Sequence, residues 1–528
     1  MSLPIAQAKR ALDGMRQPEI RNLIAQSKAK QVLREVHEAP TNFPRFTANL
    51  DERVTFVAYG RLAAGCSMVE FGDAAGYAEI QAAAEALESV HRTEALDDRG
   101  SGFHCLIGSM AFYACGQYSR GFVLIKGVEA VTPAAAIIAA FLRKDTRQLI
   151  PRLNAVLLSE PASFDDEMEL DEFALTTSIA RAVSTILEHI FSGEPGLLAT
   201  ADEILRDALI ITENGSYPSF WWLARILRLM LADYSNGSLW RALPPFFDPD
   251  GTSQITNYVR LLAFGNPPVT ELWQSQRACL ELALNSENRG GVINLRTSGG
   301  KTRVAELAIL KTLKNNPGSK VLFLAPFRSL AFEMERTFVK FLAPLGYPIS
   351  HLYGGSRFSG LDRELVNEAN LIIATPEKAK AMLRAAPELF EGVKLVVVDG
   401  GHLLGENQRN VRNELFLEHL RLLCRQRQAR MLFVEFKEVG KTKKKRRFPR
   451  NKVEAVAATA VRLAELGPVL IFAGQAKWVR RWLDPFCSRL GMMCQPIHGR
   501  KLNGRFLRQF ATKSWAKTVR NLSRHVWE

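Results

Sequence analysis

Two short stretches of this chain carry side chains able to do chemistry. Thr297, Ser298, Gly299, Gly300, Lys301 and Thr302 follow an apolar run, Gly291 to Leu295, and precede a helical pattern, Arg303 to Leu313. Glycines between a strand and a helix let backbone N–H groups close on phosphate oxygens. The lysine supplies a point charge to the outer phosphates, and the threonine hydroxyl suits Mg²⁺. The small residue usual at the start of such a loop is Leu295 here. Further on, Asp399, Gly400, Gly401 and His402 follow a second apolar run, Leu395 to Val398. A carboxylate at a strand end can hold a metal beside a phosphate.

Such residues need a scaffold. The apolar runs Gly291 to Leu295, Val321 to Ala325, Leu371 to Ala374, Leu395 to Val398 and Met431 to Val434 read as buried parallel strands. Helical stretches separate them, such as Arg303 to Leu313 and Ser329 to Leu342. Alternating strands and helices predict a doubly wound α/β sheet, which binds ligands at the carboxyl ends of its strands. Residues 1–265 read as mostly helical, with apolar residues three and four apart, as in Ile179 to Ile190. His104 to Lys126 reads as one helical hairpin, without a second copy at a fixed period. The acidic stretch Asp165 to Glu172 either separates two helical parts or starts a helix. Prolines and glycines at 244–251 and 265–268 mark a boundary.

At 528 residues the chain exceeds one core, and its 47% hydrophobic and 23% charged residues are ordinary for a globular protein. No long uninterrupted apolar run or apolar leader is present, so neither a membrane span nor a signal peptide is expected. The seven cysteines form no C-x-x-C pair, which fits a reducing, cytoplasmic setting. The net charge of +15 is uneven: residues 435–528 hold 22 basic against 6 acidic residues, and the rest is near neutral. A basic segment on a neutral body points to a polyanion such as nucleic acid, or to a solvated tail.

In order and spacing, these residues resemble the first motor domain of a superfamily 2 DEAD/DExH-box helicase, nearest the Ski-like branch. Lys301 and Thr302, continued by Ala305 to Ala308, resemble motif I. Gln276 matches the upstream glutamine that reads adenine. Ala325 to Ala331 resemble motif Ia, Gly354 to Ser356 the small-residue turn after it, and Ala374 to Lys378 motif Ib. Each alone is equally a turn or a helix cap. The series carries the resemblance over residues 270–434. It implies ATP held by Gln276 and by Thr297, Ser298, Gly299, Gly300, Lys301 and Thr302. Mg²⁺ falls to Thr302 and Asp399, and catalysis to Lys301, Asp399 and His402, the last linking ATP state to a second motor domain. Pro326, Arg328, Gly354, Thr375 and Pro376 would run along a DNA or RNA backbone.

The chain departs from the family pattern in two places. Motif II of the family reads Asp-Glu-x-His, and Gly400 stands where the glutamate orients and deprotonates water. Loss of a general base costs about 10²–10⁴-fold in rate. Downstream, residues 467–474 resemble the first strand and motif IV of the second motor domain, but no motif III, V or VI is found. Arg500, Arg505 and Arg508 lack the spacing of motif VI, whose arginine is worth about 10³–10⁵-fold. The basic run 441–450 is a nucleic-acid contact or a solvated loop. Phe448, Trp478, Trp482 and Trp515 either stack on bases or belong to a core. The expected architecture is α/β. A helical accessory region (1–265) precedes a RecA-like ATP-binding domain (266–434), a basic linker (435–455) and a partial second RecA-like domain (456–528). Two functions stay open. One is a helicase-family protein binding ATP, Mg²⁺ and single-stranded nucleic acid with impaired hydrolysis. The other is an inactive or truncated helicase-like scaffold that also docks a protein partner through its helical region. Ski-like helicases serve RNA decay, DNA repair and, in bacteria, defence against phage.

Overall fold

The computed structural model describes residues 4–35, 45–91, 99–128, 130, 132–159, 167–247, 255–285, 287, 289–295, 299–352, 358–400 and 408–435. The readings made for the basic run, the second motor domain and its aromatic residues lie outside the described residues. Described residues within Met1–Ala180 and Leu205–Met230 form one compact unit, and those within Arg181–Ile204 and Leu231–Gly440 a second.

The first unit is helical throughout its described residues. The helices Leu50–Glu70 and Gly76–His91 meet backbone to backbone: a Cβ on Gly76 would lie 2.4 Å from the Gly65 carbonyl oxygen, so only glycine allows this approach. Leu62, Ile80, Leu87, Leu106 and Phe112 fill the core. The expected hairpin is present as Arg99–Ala114 and Tyr118–Ile125. Gly116, at a φ of 71°, turns the chain, and the Ser109 hydroxyl donates to the Gly121 carbonyl at 2.8 Å. The acidic stretch leads into a helix start, with Glu167 and Glu169 in the first turn of Glu167–Ser192.

The second unit is built on a six-stranded, wholly parallel sheet: β1 (Gly290–Asn294), β2 (Lys320–Leu324), β3 (Ile349–Leu352), β4 (Leu371–Ala374), β5 (Val393–Asp399) and β6 (Arg430–Glu435). Their order is β1-β6-β5-β2-β4-β3. Parallel strands need crossovers, so helices cover both faces and the strands are apolar on both sides. One face buries Val321, Phe323, Ile373 and Val397 with Val304, Leu307 and Phe338. The other buries Leu322, Ile372, Val396 and Val398 with Met382, Phe416 and Leu420. The edge strand β3 was not foreseen, because Ser350 and His351 break its apolar run.

Leu239, Leu243, Phe247, Tyr258 and Leu262 join the first of these cores, so it draws on residues upstream of 266. A buried polar group fixes part of that junction. The Tyr258 hydroxyl and an Arg303 N–H both donate to Glu306 Oε1, each at 2.6 Å. Burial pushes the Glu306 carboxyl up from its usual range, against the pull of Arg303. Among the described residues no helix is long and apolar enough to cross a membrane.

Removing the hydroxyl should therefore be felt in this unit. Tyr258→Phe is expected to cost about 2 kcal/mol, the range for a hydrogen bond to a charged group. Leu415→Ala, at a side chain that is 68% exposed, should stay within about 0.5 kcal/mol. Hydrogen exchange of the β2 and β5 amides reads both. Equal protection in Tyr258→Phe and the parent would show that the bond contributes nothing.

Candidate functional site

Because every strand pairing is parallel, all six carboxyl ends lie on one edge of the sheet. The candidate residues sit on the segments leaving that edge. Gly299 and Gly300 come after β1 and lead into the helix Lys301–Asn315, whose first two residues are Lys301 and Thr302. Asp399 is the last residue of β5. Pro326 and Arg328 follow β2, and Thr375 and Pro376 follow β4. Thr297, Ser298, Gly354 and His402 lie outside the described residues.

The part of the edge around Gly300 has a defined geometry. Burial lowers the pKa of the Lys301 ammonium, and the Asp399 carboxylate opposes the shift. The two candidates are thus within electrostatic reach of each other, although they are far apart in sequence. Gly300 is held at a φ of 78°, where glycine is favoured. A Cβ there would stand 2.0 Å from Gln276 Nε2. Gln276 is buried in the first turn of the helix Gln274–Leu284. Its Nε2 donates to the Gly300 carbonyl at 3.2 Å, and its Oε1 accepts from the Trp273 backbone N–H at 2.8 Å. The Ser275 hydroxyl donates to the Gly299 carbonyl at 3.3 Å.

The other half is formed by neighbouring strands. The Ala325 N–H donates to the Ala374 carbonyl at 3.0 Å, so the segments carrying Pro326 and Thr375 leave side by side. Arg328 is exposed at the start of the helix Arg328–Leu342. Thr375 stands at the N-cap of the helix Pro376–Ala385, yet its side chain makes no capping bond. One positioning pair escaped the sequence reading: buried Lys378 binds Asp362 at 2.7 Å, tying this helix to Gly360–Glu368. The signal for it is Ser359-x-x-Asp362, a capping box in which the Ser359 N–H donates to Asp362 Oδ2 at 2.7 Å.

Gly400 combines two departures. It brings no side chain where the family pattern has a carboxylate. It is also held at a φ of 86°, and its N–H donates to the Val434 carbonyl at 3.1 Å.

A family model of the DEAD/DEAH box helicases matches residues 273–434. Residues 273–434 are a DEAD/DEAH-box domain of helicase superfamily 2. The chain is 33% identical over 417 residues to the Hachiman protein HamB of Bacillus cereus, covering 79% of this chain and 37% of that protein. It is 30% identical over 172 residues to the ATP-dependent DNA helicase Hel308 of Methanococcus vannielii, covering 32% and 22%. The ATP-dependent DNA helicase MER3 of Saccharomyces cerevisiae is 32% identical over 149 residues, covering 27% and 12%. The chain thus spans little more than a third of HamB and less of the others. The likeness to HamB is longer than the helicase segment, so it takes in sequence beyond it. The parallel sheet with its carboxyl-edge site is the RecA-like domain of the family.

The backbone at Gly400 makes a prediction of its own. Gly400→Ala should cost about 1–2 kcal/mol, and Gly400→Asn clearly less, since asparagine visits the left-handed region more readily. Thermal melts of the two variants compare them. Equal costs would mean that residue 400 does not need a left-handed backbone.

Proposed function

We propose that this chain binds ATP with Mg²⁺, and the backbone of single-stranded nucleic acid, on the carboxyl edge of β1–β6, with slow hydrolysis. The observation that carries the reading is the convergence of Lys301, Asp399, Gly300 and Gln276 on one part of that edge, beside the Pro326 and Thr375 segments. Lys301 neutralises the outer phosphates. The Thr302 hydroxyl and the Asp399 carboxylate are hard oxygen donors that suit Mg²⁺, which takes one or two protein ligands together with phosphates. When bound, the metal neutralises charge on the transferring phosphoryl group. Thr297 and Ser298 complete the loop in this reading, and His402 serves as the link to a second motor domain. Arg328, Thr375, Pro376, Pro326 and Gly354 follow the sugar–phosphate backbone, so the reading makes no choice between DNA and RNA.

Gly400 has no group to orient water, so binding is retained while turnover falls by about 10²–10⁴-fold. Residues 266–434 act as the motor domain, followed by a basic linker at 435–455 and by second-domain sequence at 456–528. The length of the likeness to HamB supports a working role for residues 1–265, and we assign them the docking of a protein partner in the cytoplasm.

Phosphate release from ATP, with and without single-stranded DNA or RNA, tests this. The expected result is binding of labelled ATP with release near background. Rapid, nucleic-acid-stimulated release would overturn the slow-hydrolysis part. Lys301→Ala should abolish ATP binding; unchanged affinity would refute the phosphate-loop assignment. Gly400→Glu should raise phosphate release at a stability cost of about 1–2 kcal/mol. Without a gain, the main defect lies elsewhere than the missing carboxylate.

A further inference from the structure

The helix Arg328–Leu342 carries a second face that the core of the sheet does not use. Its buried face, Ala331, Met334, Phe338 and Leu342, packs into that core. Arg328, Phe332, Arg336 and Val339 recur four, four and three positions apart, so they share a different face. All four are exposed, Phe332 at 51%. Phe327, at the N-cap, is exposed as well. The Arg336 guanidinium stands 5.9 Å from the centre of the Phe332 ring, at the outer limit of a cation–π contact, and leaves the side chain half in water. Phe332 belongs to neither core of the sheet.

The charge on this face suits a polyanion. Arg328 and Arg336 lie about 12 Å apart along the axis, at 1.5 Å per residue, so they reach different phosphates. Lys340 adds an exposed cation one turn beyond Arg336. The acidic residues of the helix stand aside from the stripe. Glu335 turns to β3, where its Oε1 lies 2.6 Å from His351 Nδ1, and Glu333 is displaced about 100° around the axis from Phe332. The stripe begins at Arg328, so it continues the edge that carries Pro326 and Thr375. Phe332 stands about 6 Å further along the axis than Arg328, within reach of the base attached to a phosphate held there.

We propose that Phe332 is a stacking platform for an unpaired base and that Arg336 takes a phosphate beside it, so that a single strand passes along the outer face of Arg328–Leu342. The proposal rests on the backbone-binding role of Arg328 given under Proposed function. It adds selectivity for single strands. A paired base hides its faces in the duplex stack, whereas an unpaired base of any kind offers one to an aromatic ring.

Anisotropy titrations of the full chain with labelled oligothymidylate, an abasic strand of equal length and a blunt duplex test it. Phe332→Ala should weaken oligothymidylate binding by roughly five- to a hundredfold, the range for one lost base stack, and Phe332→Trp should bind as the parent does or more tightly. On the abasic strand and the duplex, Phe332→Ala and the parent should agree. Arg336→Ala should lower the slope of log affinity against log salt by about 0.7, as for one phosphate of a single strand, while Phe332→Ala leaves that slope unchanged. An exposed side chain outside the cores can be replaced without loss of the fold. Parent-level oligothymidylate binding by Phe332→Ala would overturn the proposal and leave the stripe to a protein partner. Equal losses by that variant on all three ligands would overturn it too, since an abasic strand has no base to stack. An unchanged salt slope in Arg336→Ala would strike out the phosphate contact. A parent that binds no strand would overturn the backbone-binding reading and this proposal together.

Discussion

Parallel hydrogen bonding across β1–β6 is the constraint on which the site depends. It points every carboxyl end the same way, so residues spread from 276 to 400 reach one edge. The register sharpens this: Leu324 pairs with Ala374 on one side and with Val398 on the other. Ala325, Thr375 and Asp399 therefore leave the sheet at the same level. An antiparallel arrangement of the same strands would send alternate segments to opposite edges and divide the candidate residues between them.

A parallel sheet must be covered on both faces, and the two cores do this with apolar side chains that carry no positional information about the site. Fine positioning falls to a few polar ties. Gln276 props Gly300, Lys378 and Asp362 join two helices under the Thr375 segment, and Tyr258 with Arg303 closes on Glu306 just downstream of Lys301. Each is buried or half-buried, where an unpaired partner is costly. Losing one partner therefore costs more than the bond itself, and this discourages slippage of the helices that carry the candidate residues. Lys301 differs. Burial disfavours its charge, and the nearby Asp399 restores part of it.

The strands of the sheet were legible as apolar runs because both faces are buried; β3 was not, because an edge strand with Ser350 and His351 has no such run. The turn from β1 into a helix beginning at Lys301 was legible from residue type and order alone. What Gln276 touches was not, since a glutamine buried against a glycine carbonyl leaves no trace in spacing. The contribution of Leu239, Leu243, Tyr258 and Leu262 to the core of the sheet was hidden for a similar reason: an apolar helix face does not say which sheet it will cover. In the helical unit the hairpin at 99–125 could be read from its turn glycine and apolar period. Its long-range ties, such as Arg225 with Glu70 at 2.7 Å, join residues 155 positions apart and have no local signature.

Gly400 shows how a single position can be read twice. As a residue type it is a missing carboxylate, and this much is visible in the sequence. As a backbone it is a left-handed residue whose N–H still belongs to the sheet, through the bond to Val434. The chain thus stays paired through Asp399, bonds once more at Gly400, and turns there. A larger side chain at 400 would work against that turn by roughly 1–2 kcal/mol, while Asp399, fixed by the preceding ladder, would feel little of it. The backbone positions of Asp399 and of residue 400 are therefore mechanically separable in this chain. The first is anchored by the strand, and the second depends on a turn whose conformation glycine now specifies.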